Sequence, residues 1–277
     1  HRGEEDLSSG LLRAVGDAGK RLGEDGLRVI RAFRFMEGGM NGVRDLDEEL
    51  SIAISSNLEM LDKVSKERIW DEFRKILSGR HSSEIVGMMH NHGVFDKILP
   101  GVSVNLEAIH SNGHLVNLAL LFSSETLDES QLSERLAENL RLSRKELSAI
   151  CLLHGLRNVD LDGSIKSVRR FVATHERSSR EMILEYLSGS GVEINEFKDC
   201  YQNNGELRAG SSPLVDGNLI SSFTGLEAGR KLGRLKDWLH RIQVEEDIEN
   251  KEDIVSKMDE IDWEGDDFED WPQLNWP

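Results

Sequence analysis

A carboxylate at Asp25 and a guanidinium at Arg28 stand three residues apart in the run Glu24-Asp25-Gly26-Leu27-Arg28. Together they could read the hydrogen-bonding edge of a nucleobase. Cytosine and adenine each present an amino donor beside a ring-nitrogen acceptor, which complements an Asp acceptor next to an Arg donor; uracil and guanine present the opposite order. On a helix the two side chains would project side by side. The same spacing also suits a plain first-turn acid with an i,i+3 ion pair. The element that must carry them is legible: Leu27, Ile30, Phe33 and Phe35 recur at roughly helical spacing, and Arg28, Arg31 and Arg34 repeat every third residue along another face.

The 277 residues allow one large domain or two to three small ones. Hydrophobic residues make up 38% and prolines number four, and leucine-rich helical patterns recur without a long alternating run, so an all-α fold is expected. Helices are expected over 64–77, 82–99, 115–122, 132–142, 145–156, 165–175 and 180–187. Another is expected over 46–57, with Leu46, Leu50, Ile52 and Ile54 turned inward. No apolar run approaches the ~18 residues of a membrane span. Cys151 and Cys200 lack metal-ligand spacing and read as reduced thiols of an intracellular protein. The chain starts at His1 with no Met or signal-like segment and looks truncated or processed, so cytoplasm and organelle are not distinguished.

The net charge of −17 argues against a generic nucleic-acid binder, but it is unevenly placed. Residues 245–277 hold fourteen acids against two lysines, a net of −12, which leaves only −5 for the remainder and room for a basic face. His81, His90, His92, His110 and His114 show no His-Glu-x-x-His pattern and read as solvated or packing residues.

Glu24-Asp25-x-x-Arg28 followed by Arg31-Ala32-x-Arg34-Phe35 resembles the neck motif of class II tRNA nucleotidyltransferases (CCA-adding enzymes) and bacterial-type poly(A) polymerases. Further stretches resemble the family in order. Gly3, Asp6-Leu7 and Leu12-Arg13-Ala14-Val15 are similar to its connector, and Ser65-x-Glu67-Arg68-Ile69-x-x-Glu72 to its next helix. Gly93-Val94 through Leu99-Pro100 is similar to the helix end that follows. Gly225-Leu226-x-x-Gly229-x-x-Leu232-Gly233-x-Leu235 is similar to its tail. The resemblance implies an all-helical neck, body and tail, divided as a connector over 1–23, neck 24–100, body 101–204, tail 205–262 and an acidic aromatic segment over 263–277.

By the same resemblance Asp25 and Arg28 act as a protein template selecting CTP and ATP, with Glu24, Arg31, Arg68 and Glu72 as supports. The pair Arg68 and Glu72 would equally make an ordinary i,i+4 surface ion pair. Arg141, Lys145, Arg169, Arg230, Lys231 and Arg234 are candidates for phosphates of a tRNA or another RNA 3' end, against the alternative of a solvated face. The family's catalytic head, with a Gly-Gly-x-Val-Arg-Asp loop and an Asp-x-Asp pair for Mg2+, would lie upstream, on a precursor or a second chain. Gly38-Gly39 with Val43-Arg44-Asp45 and Asp47 imitates it at the wrong spacing; the glycines are expected to stop the helix, with Asn41-Gly42 in a turn.

Two departures stand out. The family usually has Pro at Gly26, so the helix is expected to start less rigidly. Residues 264–277 read as a segment of the usually disordered kind, with Trp263, Phe268, Trp271 and Trp276 suited to docking on a protein partner. The alternative function is a catalytically inactive RNA-binding or structural subunit of a larger assembly.

Overall fold

The computed structural model describes residues 3–109, 113–159, 161–176, 179–265 and 267–276. The chain divides into two units, residues 1–158 with 185–192, and residues 159–184 with 193–277.

The first unit opens with α1 (Gly3–Ser9), the two-residue β1 (Leu11–Leu12), α2 (Ala18–Glu24) and α3 (Leu27–Met36). It continues with β2 (Asp45–Leu46), α4 (Glu48–Ser56), α5 (Lys66–Leu77), α6 (Ser82–Asn91) and α7 (Val94–Ile98). It ends in α8 (His114–Leu121), α9 (Glu129–Leu140) and α10 (Arg144–Gly155). The second unit holds α11 (Ile165–Thr174), α13 (Asn195–Asn204), α14 (Gly217–Thr224), α15 (Arg230–Glu246) and α16 (Lys251–Ser256); α12 (Arg180–Gly189) has residues in both. The expected helical character is present. Among the described residues the extended structure is a parallel pairing of Leu11 with Asp45 and Leu12 with Leu46, plus one isolated bridge.

In the first unit the apolar stripe of α3 dictates the packing. Val29, Ile30, Phe33 and Met36 are fully buried, and α3 lies against α5, which buries Phe73, Ile76 and Leu77. The hydrophobic run of α8 is buried on all sides, as its lack of a polar face requires. Its Asn117 is satisfied there by donating to the Leu77 carbonyl at 2.8 Å. Helices α9 and α10 each begin with a capping box, Asp128 with Gln131 and Ser143 with Glu146. Ile52 on α4 corrects the expected inward set: it is 61% exposed while Leu50 and Ile54 are buried. A nine-residue helix with one covered side has room for only part of that set.

The second unit is built on the long α15, whose Leu232, Leu235, Leu239 and Val244 recur at helical spacing and are buried with Val215, Ile220, Ile254 and Met258. Residues 263–265 and 267–276 correct the expectation of disorder. Trp271 is buried in this core with its ring 5.4 Å from Trp238, with Phe268 and Trp263 packed alongside. Trp276 is buried among Phe171, His175 and Phe197 at 4.7–5.6 Å. These rings cover the unit's own apolar surface, so they are spent on folding rather than offered to a partner.

Candidate functional site

Asp25 does not sit within a helix. It closes α2 in an extended conformation, and α3 begins two residues later. The side-by-side helical projection expected for Asp25 and Arg28 is therefore replaced by a tight junction in which the Arg28 amide donates to the Asp25 carbonyl at 3.0 Å. The Asp25 carboxylate then divides its work. Oδ1 accepts the Leu27 N–H at 3.1 Å, the self-capping that Asp favours where a helix starts. Oδ2 faces Arg68 Nη2 at 3.4 Å. Arg28 turns the other way, its Nη1 donating to Glu24 Oε2 and to the Arg21 carbonyl, both at 2.6 Å. That hydrogen bond, outweighing slight desolvation, holds the Glu24 carboxyl below its usual range. Asp25 and Arg28 thus make no ion pair with each other, and both keep about a third of their side-chain surface exposed.

Arg68 and Glu72, four residues apart on α5, do not pair with each other either. Both reach the α2–α3 segment: Arg68 to Asp25, and Glu72 to Arg34 Nε at 2.6 Å. The Glu72 contact is an ion pair without hydrogen-bond alignment, and Lys75 Nζ supports the same carboxylate at 2.9 Å. Arg34 also lies over the Phe35 ring at 4.3 Å, with Arg31 at 5.4 Å. Phe35 is 42% exposed. A groove of about 290 Å³ beside α3 is lined by Arg13, Arg21, Arg28, Arg31 and Phe35, and it adjoins a wider hollow of about 560 Å³ that shares Arg13 and Phe35. This cationic, part-aromatic groove suits an anionic, planar ligand. Arg13, Arg21 and Phe35 line this groove without having been among the expected site residues; the Leu12-Arg13 connector was the available signal for the first.

At Gly26 the structure shows a close approach of backbone to backbone. The residue is buried, and a Cβ there would overlap the Met60 carbonyl on the turn Leu58–Lys63. Glycine is required because backbone meets backbone.

The six RNA candidates fall into two groups. Arg141 and Lys145 are exposed, and neither makes an ion pair among the described residues. Arg169, with 18% of its side chain exposed, faces Asp247 at 3.7 Å and donates to the Glu245 carbonyl at 2.9 Å. Arg230 and Arg234 contact Glu269 at 2.8 and 3.4 Å, and Lys231 donates to the Glu264 carbonyl at 2.9 Å.

Among the described residues no group of three or more His, Cys, Asp or Glu is placed to hold a metal ion. In the Gly38–Asp47 stretch, Asp47 is paired with Arg13 at 3.3 Å and Asp45 lies in the two-residue strand, so these acids do not fit Mg2+. The helix ends at Met36, before the glycines, and Gly39–Asn41 forms a 3-10 turn. His81 bonds Glu37 at 2.9 Å, His90 and His92 pack on Phe95 and Phe33, and His114 on Trp70; His110 lies outside the described residues. Among the described residues no helix is long and apolar enough to cross a membrane.

Residues 45–106 match the family described as "Probable RNA and SrmB- binding site of polymerase A". The chain is 38% identical to mouse (Mus musculus) mitochondrial CCA tRNA nucleotidyltransferase 1 over 105 residues, which is 38% of this chain and 24% of that protein. It is 26% identical to the CCA-adding enzyme of Limosilactobacillus reuteri over 280 residues, 95% of this chain and 66% of that enzyme. It therefore spans less than two thirds of these relatives. Its fold matches the crystal structure of the Bacillus stearothermophilus CCA-adding enzyme in complex with CTP, with a TM-score of 0.72 at 19% identity, over 94% of this chain and 68% of that one. With the neck, support and tail motifs in order along a chain that shares this fold, the protein is similar along nearly its whole length to class II tRNA nucleotidyltransferases (CCA-adding enzymes).

Proposed function

We propose that this chain is the nucleotide-selecting and RNA-holding part of an enzyme that adds nucleotides to a tRNA 3' end, with CTP and ATP as the selected substrates. The observation that carries this reading is the α2–α3 junction, where an accessible carboxylate, Asp25, and an accessible guanidinium, Arg28, stand three residues apart, with Arg68 of α5 on Asp25 and Glu72 of α5 holding Arg34 farther along α3. Asp25 has lone pairs to spare beyond Leu27 and Arg68, and can accept from the amino group of cytosine or adenine. Arg28 is engaged through Nη1 alone among the described residues, leaving Nη2 and Nε to donate to the adjoining ring nitrogen. Arg13, Arg21 and Arg31 line the neighbouring groove and suit the triphosphate.

The Mg2+ that phosphoryl transfer uses would come with residues outside these 277; the carboxylates among the described residues do not form a site for it. Arg141, Lys145 and the N-terminal cations of α15 are the proposed phosphate contacts. The relatives named for CCA addition to tRNA support this choice of substrate.

The test is nucleotide incorporation by the intact native protein on a tRNA lacking its CCA end. Asp25→Ala should lower CTP and ATP incorporation by about 10–100-fold, the loss of one specific base-edge contact worth ~1–3 kcal/mol, and narrow the preference over UTP. A wild-type protein that transfers nothing, while still binding tRNA, would sink this reading and leave the RNA-binding scaffold.

A further inference from the structure

Residues 263–277 contain five acids and no Lys or Arg. Rather than repelling the rest of an acidic chain, this segment lies along α15 and meets the cations at its start. Glu269 takes Arg230 at 2.8 Å and Arg234 at 3.4 Å, and its carbonyl accepts from Arg234 at 2.9 Å. Lys231 donates to the Glu264 carbonyl at 2.9 Å with its ammonium 5.8 Å from the Trp271 ring. Farther along the helix Arg241 donates to the Gln273 carbonyl at 3.3 Å.

We propose that residues 263–276 are an intramolecular strap that occupies the cationic face of α15 in place of RNA phosphates and so limits how tightly that face takes RNA. The proposal rests on the reading of α15 as part of the RNA-holding surface. Two different strengths of contact make the device work. The segment is held by buried indoles, Trp271 against Trp238 and Trp276 against Phe171. Just before Trp271 the Arg230–Glu269 pair is open to water, with Arg230 82% and Glu269 45% exposed. Exposed pairs of this kind are weak and salt-screened, so a polyanion presenting several phosphates can displace the Glu269 carboxylate while the indoles stay seated. The strap acts as a low-affinity stand-in for nucleic acid, fixed close to the face it covers, where its effective concentration is high.

Deleting the strap would strip Trp271 and Trp276 from the core, so the decisive variant is Glu269→Gln, which keeps both anchors. Asp259→Asn removes the same charge from an exposed acid with no ion pair among the described residues. Binding of a tRNA without its CCA end to the 277-residue chain would be measured from 0.1 to 0.5 M KCl for wild type and both variants. Arg234 keeps its bond to the residue-269 carbonyl, so Glu269→Gln frees Arg230 outright and should steepen the dependence of log K on log salt by about 0.7–0.9, one phosphate contact. If the proteins converge near 0.5 M, that slope gives about three- to fourfold tighter binding at 0.1 M. Asp259→Asn should keep the wild-type slope. Equal slopes for Glu269→Gln and Asp259→Asn would overturn the strap and leave the RNA reading standing. No tRNA binding by any of the three would overturn both.

Discussion

Gly26→Ala is the sharpest test of why this chain departs from its relatives at the start of α3. At Gly26 φ is −59° and ψ −24°, a conformation open to Ala and, by φ, to Pro. With free space around it, Gly→Ala at a compatible position stabilises by about 0.4–1 kcal/mol through the unfolded state. The space is not free. The added Cβ would overlap the carbonyl carbon and oxygen of Met60 and lie 3.0 Å from the Met60 Cβ. The oxygen and carbon are backbone, held in a 3-10 turn whose Val64 amide bonds the Leu61 carbonyl at 3.0 Å. Relief therefore needs a shift of the turn or of α3, an overpacking cost of about 1–3 kcal/mol. The net loss is about 0.5–2.5 kcal/mol, and at 2–4 °C per kcal/mol for a unit of this size the Tm should fall by roughly 1–10 °C. Calorimetry or circular dichroism melting would read it, and Gly26→Pro should fall at least as far, although Pro is the family's usual residue there. A rise in Tm for either variant would refute the argument from close approach.

Two further outcomes follow from the charges. Glu72→Ala leaves Arg34, 29% exposed, without its counter-charge and should cost about 2 kcal/mol, below the 3–5 kcal/mol of a fully buried pair; in urea melts the double replacement Arg34→Leu with Glu72→Leu should recover most of it, and no recovery would mean that the pairing is not what Glu72 supplies. Burial pushes His114, His154, His175 and His240 below their usual 6.5, so above that pH they are neutral in folded and unfolded chains alike. As pH falls below 6.5 the unfolded chain takes up protons first, and the urea midpoint should drop between pH 7 and 5, less so in His175→Gln. Glu125 belongs to a separate, lower window. Burial raises its pKa, but hydrogen bonds from the Ser103, Thr126 and Leu127 amides outweigh that and hold it below 4.5, so its contribution is present above about 4.5 and lost as pH falls through the folded value. A midpoint flat from pH 7 to 5 would refute the histidine account.

Much of the helical layout was legible because burial along a single helix repeats every three to four residues. Leu27, Ile30 and Phe33 of the expected stripe are buried, whereas Phe35, read with them, is 42% exposed and Val29 and Met36 complete the buried face instead. The capping box of Ser143 with Glu146, complete within four residues, fixes the start of α10 by the same kind of local interaction. Ile52 escaped because a short helix can be inward on only part of its apolar set, and which part depends on its neighbours. At the candidate site, the Asp25 and Arg28 pattern was visible, but its division between Arg68 and Glu24 was not.

By itself, then, the sequence determined that the chain is mostly helical, much of the apolar stripe of its longer helices, and the ordered motifs that resemble a known family. Only the tertiary structure decided which distant groups meet. Arg68 and Glu72 could have paired with each other at i,i+4, yet each turns to a different residue of the α2–α3 segment. Gly26 looked like a weak helix start until the Met60 carbonyl was found against it. The acidic aromatic end looked disordered because its own composition cannot build a core, and it is ordered because Trp238 and Phe171, over thirty residues away, complete one with it. Periodicity is fixed within one helical turn, whereas ion pairs, close backbone contacts and shared aromatic cores depend on how separate segments pack.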